Sequence, residues 1–186
     1  MVRYYLDEDK NWGVDVNDIK ERIKNAKDVG IDLRAIVVIN PGNPTGNVLK
    51  RENIEEIIRV SHDNRLIILA DEVYQKNIYY PDEVPFHSFR KVLHEMGPPF
   101  SDEVELISMH SISKGLTGEC GFRGGYMEVH NLDMFAQDMF YKLKSVELCS
   151  NTVGQVATYL MVDPPKEGRE SSACVEQYNR EIQSVH

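Results

Sequence analysis

The sequence predicts an α/β fold with a mainly parallel sheet, and three observations carry that expectation. Short, continuously apolar runs recur, as in "AIVVI" and "LIILA". Between them lie segments whose apolar residues repeat at helical spacing. Conspicuous polar residues cluster just after the apolar runs, where open parallel sheets carry their ligands.

Residues 15–29, "DVNDIKERIKNAKDV", place Ile19, Ile23 and Ala26 on one helical face, with Asp15 or Asn17 as cap and Gly30 as stop. "AIVVIN" then reads as a strand buried on both faces. Residues 50–64 read as a second amphipathic helix with Ile54, Ile57 and Ile58 at core spacing, although Lys50 stands where a Ser or Thr would cap better. "LIILA" at 66–70 ends in Asp71, "VELISMH" at 104–110 leads into "SISKG", and "GGYMEV" at 124–129 is a fourth strand. Residues 77–101 form a loop-rich connection with four prolines and a short helix near 86–95. Helices are expected at about 132–146 and 152–162, with "DPPKEG" at 163–168 as a boundary before a helical tail.

Composition bounds the function. The 186 residues suffice for one domain with a real core, and 41% apolar with 27% charged residues is ordinary for a globular protein. Thirty acidic against 21 basic side chains leave a net charge of −9, which argues against nucleic acid or anionic membrane as the main partner. No apolar run approaches the ~20 residues of a membrane span. "MVRYYLDEDK" lacks the apolar stretch of a signal peptide and is too acidic for a transit peptide. Cys120, Cys149 and Cys174 are odd in number and widely spaced, which fits reduced thiols in an intracellular compartment. The histidines offer no ligand cluster, and "HEMGP" has Pro98 where a zinc H-E-x-x-H needs its second histidine, so no metal is expected.

The polar residues at strand ends are Asn43 after the first strand, Asp71 at the end of the second, and Ser111 and Lys114 after the third. Arg123 follows at the entrance to the fourth. In order along the chain, "NPGNPTG", "ADEVY", "SISKG" and "GFRGG" resemble the fold type I aminotransferases that use pyridoxal 5'-phosphate (PLP). "INPGNPTG", "LADEVYQ", "FHSF", "MGPPF" and "GECGFRGGYMEV" further resemble the alanine aminotransferase family. The resemblance implies a three-layer α/β/α large domain with a mostly parallel sheet, here incomplete. Residues 1–162 would form a partial PLP-binding domain, and 163–186 a linker and the start of a helical connection to an absent small domain. It also implies that an N-terminal segment with a phosphate-binding helix, and a small-domain arginine for the substrate carboxylate, lie outside the 186 residues. Arg169 and Arg180 stand in the wrong context to replace that arginine.

Roles follow from the resemblance residue by residue. Lys114 would form the internal aldimine with PLP and then shuttle the proton between substrate and cofactor, which an amine does only when deprotonated. Asp71 would pair with the pyridine nitrogen and keep the ring an electron sink. Tyr74 and Asn43 would donate to the phenolate oxygen. Ser111 and Arg123 would hold the phosphate, with Ser113 a second candidate donor. A cis peptide is implied between Asn43 and Pro44. Taken singly, the same residues have plainer readings: Lys114 a surface lysine, Asp71 a cap for a helix at "EVYQK", Tyr74 a core aromatic, Arg123 a surface ion-pair partner.

The implied reaction is L-alanine plus 2-oxoglutarate to pyruvate plus L-glutamate through pyridoxamine phosphate, in a homodimer, in the cytoplasm or the mitochondrial matrix. A lyase or synthase on the same scaffold, or a non-catalytic PLP-binding fragment, are the alternatives. "SISK" also satisfies the S-x-x-K of penicillin-recognising enzymes, but no S-D-N or K-T-G follows it.

Overall fold

The computed structural model describes residues 1–115, 118–147, 149–164, 173, 176–177 and 180. Most of the expected linker and tail at 163–186, with Cys174 and Arg169, therefore lies outside the described residues.

A short antiparallel pair, β1 (Leu6–Asp7) and β2 (Gly13–Val14), precedes helix α1 (Val16–Asp28). The Asp15 carboxylate accepts from the Asn17 N–H and caps α1, while Gly30 follows its end with φ +77°. The main sheet has the order β3 (Ala35–Ile39), β4 (Ile67–Asp71), β5 (Leu106–Ser111), β6 (Gly125–His130). The first three strands are parallel and β6 runs antiparallel to β5. Helix α2 (Arg51–Asn64) makes the crossover from β3 to β4, and α3 (Phe89–Met96) with α4 (Phe100–Glu103) lies in the connection from β4 to β5. Helices α5 (Met134–Ser145) and α6 (Thr152–Val162) follow β6. Lys50 does precede α2 without a side-chain cap bond, as its chemistry requires.

The core lies on one face of the sheet. Ile36 and Val38 of β3, Ile68 and Ala70 of β4, and Leu106 of β5 pack with Ile19 and Ile23 of α1, Ile54, Ile57 and Ile58 of α2, and Phe89, Val92 and Leu93 of α3. The alternate residues point the other way, as the strand period dictates. Here the expectation for "AIVVIN" is corrected: β3 is buried on one face only, with Val37 53% and Ile39 42% exposed. β3 is the edge of the four-stranded sheet, and the described helices that pack on it cover just one side.

Candidate active site at the carboxyl ends of the strands

The loop after β3 is built around Asn40, whose side chain is fully buried. Its Oδ1 accepts from the Leu49 N–H at 2.9 Å and its Nδ2 donates to the His87 carbonyl at 3.4 Å, while its own N–H donates to the Asp71 carbonyl at 3.0 Å. Inside the loop the Gly42 N–H donates to the Asn47 carbonyl and the Gly46 N–H to the Gly42 carbonyl, at 2.8 and 2.9 Å. The Asn40–Pro41 and Asn43–Pro44 bonds are both cis, the second as the resemblance implied. Asn43 lies in the turn that the Gly42 and Gly46 hydrogen bonds brace, and its Nδ2 donates to the Tyr74 hydroxyl at 3.2 Å.

Tyr74 stands in the turns that follow β4. Those turns do not continue into a helix, so the capping reading of Asp71 reduces to one long bond, Val73 N–H to Oδ1 at 3.4 Å. Asp71 itself closes β4, opposite Ile39 of β3 and Met109 of β5, and is half-buried.

After β5, the Ser111 hydroxyl donates to the Gly124 carbonyl at 3.1 Å and accepts from the Ser113 N–H at 3.0 Å. The Lys114 Nζ stands 5.6 Å from the centre of the Tyr74 ring. Beyond it, the Gly115 N–H donates to Asn77 Oδ1 at 3.1 Å. Arg123 sits at φ +51°, two residues before the Gly125 that pairs with Ser111, and its Nη1 donates to the Cys120 carbonyl at 2.9 Å. The structure thus brings Asn43, Tyr74 and Lys114 into one cluster. Asp71 lies at the carboxyl end of the strand next to the one that leads to Lys114. Ser111 and Arg123 flank the β5–β6 pairing, with the guanidinium folded onto its own loop.

Two functional-looking residues escaped the sequence reading. Glu72 is 2% exposed; its Oε1 accepts from the Phe89 N–H at 2.8 Å and its Oε2 from the Ser108 hydroxyl at 2.5 Å. Burial pushes its carboxyl above the usual range, against the two hydrogen bonds that favour the anion. His110 is buried beside it, edge-on to Tyr126 at 5.8 Å, and burial holds its imidazole below the usual histidine range. The signal was available: Ile68, Ala70 and Glu72 share one strand parity, as do Leu106, Ser108 and His110, and both sets face the core.

The amine, phenol and amide meet at the carboxyl ends of a mostly parallel sheet, the side on which open α/β sheets carry their ligands. The match to the family described as "Aminotransferase class I and II" runs over residues 1–186, and the chain belongs to that family. Glutamate–glyoxylate aminotransferase 1 of Arabidopsis thaliana is 49% identical over 185 residues, covering 100% of this chain and 38% of that protein. Alanine aminotransferase 1 of Bos taurus is 52% identical over 165 residues, covering 89% of this chain and 33% of that protein. The solved alanine aminotransferase of Pyrococcus furiosus superposes with a TM-score of 0.73 at 25% identity, over 97% of this chain and 40% of that one. The chain spans between a third and two fifths of the length of these relatives. Among the described residues, no helix is long and apolar enough to cross a membrane.

Proposed function

We propose that the chain is the cofactor-bearing part of a transaminase that moves an amino group between L-alanine and 2-oxoglutarate, with PLP as cofactor. The observation that carries this reading is the meeting of Lys114, Tyr74 and Asn43 from three separate loops. The donor set fits the cofactor group by group. Lys114 offers a primary amine for the aldehyde. Tyr74 Oη and the second Nδ2 hydrogen of Asn43 are donors for the phenolate oxygen. Asp71 is a carboxylate for the pyridine N–H, and Ser111 and Arg123 suit a phosphate dianion.

When bound, the cofactor supplies an aldehyde that takes up the amino group and a cationic ring that accepts electron density. Lys114 Nζ would be the amine that holds that aldehyde and, once the amino acid had displaced it, the base for the Cα proton. Asp71 would supply the carboxylate that keeps the ring nitrogen protonated, and Arg123, whose Nη1 bonds the Cys120 carbonyl, would supply guanidinium donors for the phosphate. The working form we propose is a homodimer, in the cytoplasm or the mitochondrial matrix.

A second reading, exchange between L-glutamate and glyoxylate, is favoured by the 49% identity to the Arabidopsis thaliana relative. The test begins with PLP added to the chain and the visible absorption recorded. A band in the wild type that is missing in Lys114→Ala is expected, and equal spectra reject the anchor. Loss of that band on adding L-alanine, with pyruvate formed, supports the first substrate pair. A response to L-glutamate alone, with the amino group then passed to glyoxylate, favours the second.

A further inference from the structure

Lys114 carries its amine on a flexible four-carbon stem, so the place of Nζ depends on how firmly the backbone beneath it is held. That backbone is bracketed. On one side the Ser113 N–H donates to Ser111 Oγ at 3.0 Å, which ties the residue to its own strand. On the other side the Gly115 N–H donates to Asn77 Oδ1 at 3.1 Å, across 38 residues of sequence. Asn77 is itself registered to the tyrosine whose ring lies under the amine: its N–H donates to the Tyr74 carbonyl at 2.8 Å. The two loops also touch beside that bond. Gly115 has φ +68°, and a Cβ there would stand 3.3 Å from the Lys76 Cβ. One amide side chain therefore joins the turn that presents Tyr74 to the turn that presents Lys114.

We propose that Asn77 is a positioning residue for Lys114, pinning the peptide after it so that Nζ stands over the Tyr74 ring; this rests on the reading of Lys114 as the cofactor anchor. Asn77 is not assigned to touch cofactor or substrate. It acts through Gly115, and displacements of about 1 Å at a reacting group are enough to cost ~100-fold in rate.

The test compares the full chain as wild type, Asn77→Ala and Asn77→Asp, which retains an acceptor oxygen at Oδ1. Without cofactor, amide exchange of Gly115 followed by NMR is expected to quicken about 5- to 10-fold in Asn77→Ala. Ser113 exchange should stay unchanged, and Asn77→Asp should restore the Gly115 rate. With PLP, the rate at which Lys114 is captured, read by borohydride trapping and peptide mass, is expected to fall about tenfold in Asn77→Ala and to recover in Asn77→Asp. Should the alanine form not fold, Asn77→Ser, too short to reach Gly115, takes its place. Unchanged Gly115 exchange overturns the proposal. So does faster exchange with undiminished capture of Lys114. A wild-type chain that forms no Lys114 adduct rejects the cofactor reading itself, and the positioning role with it, even where Gly115 responds.

Discussion

Glu72 shows how much one carboxylate depends on which side of a strand it leaves from. Along the sequence, Asp71 is the carboxylate that directly follows the apolar run "LIILA", with Glu72 one step beyond it. Strand parity reverses the two: Asp71 is half-buried and Glu72 lies inside, facing Ser108 and the Phe89 N–H. Its raised pKa has a defined sign in stability. A carboxyl whose folded value lies above its unfolded value favours folding fully at pH below the unfolded value, and that advantage is lost as pH rises through the folded one. The Glu72 contribution is thus expected to decline as pH rises above the unfolded glutamate value of about 4.3, so in denaturant titrations the wild type should lose stability relative to Glu72→Gln with rising pH. At pH 8 the glutamine form should be at least as stable as wild type. Glu72→Ala strands the buried Phe89 N–H and should cost about 1–3 kcal/mol at either pH. If the glutamine variant keeps the wild-type slope, burial of Glu72 is not its source.

At the scale of elements, α1 and α2 were legible because their apolar residues recur at the helical period, and Ile19, Ile23, Ile54, Ile57 and Ile58 are all buried. β3 was only half legible. An unbroken apolar run cannot say whether its second face is covered, since that depends on segments distant in sequence. The junction of α6 with the loop carrying Arg123 was not legible at all, because it is made by missing side chains. A Cβ on Gly154 would lie 2.4 Å from the Phe122 carbonyl oxygen, and one on Gly124 would lie 2.5 Å from the Gly154 carbonyl oxygen. Backbone meets backbone there, so Gly154→Ala should push α6 from the loop and cost about 1–3 kcal/mol in thermal or chemical unfolding. At the far end of α2, His62 bonds Glu103 of α4 and Asp63 at 3.1 and 3.3 Å, and the bond to Glu103 leads in raising its pKa. The charged imidazole strengthens the α2–α4 contact fully below the unfolded histidine value of about 6.5, and the gain fades as pH rises through the folded value. The melting temperature of His62→Gln should accordingly approach that of wild type at pH 8.5 and fall below it at pH 5.5.

For the whole molecule, the sequence carried the fold class and the order of the chemistry, but not the relation of the loops to one another. Six residues were named from motifs, and of these Asn43, Tyr74 and Lys114 meet in space. The Arg123 guanidinium bonds its own loop instead, a rotameric choice that no spacing encodes. Apolar surface is also distributed unevenly over the molecule. Val37 and Ile39 on the open sheet face, and Met134, Phe135, Leu143 and Val146 along and just after α5, are all exposed. Patches of this kind drive association. Sedimentation of the chain is expected to show concentration-dependent self-association that Phe135→Glu with Leu143→Glu reduces, and unchanged sedimentation would assign the contact to another surface. Asn40 has the opposite character. With its amide spent on Leu49 and His87 and its peptide N–H on Asp71, it is a single stitch through the β3 edge, the start of α2, the end of β4 and the approach to α3. Those segments have no way to fray separately, so the Leu49 amide should exchange with solvent only when the whole domain opens.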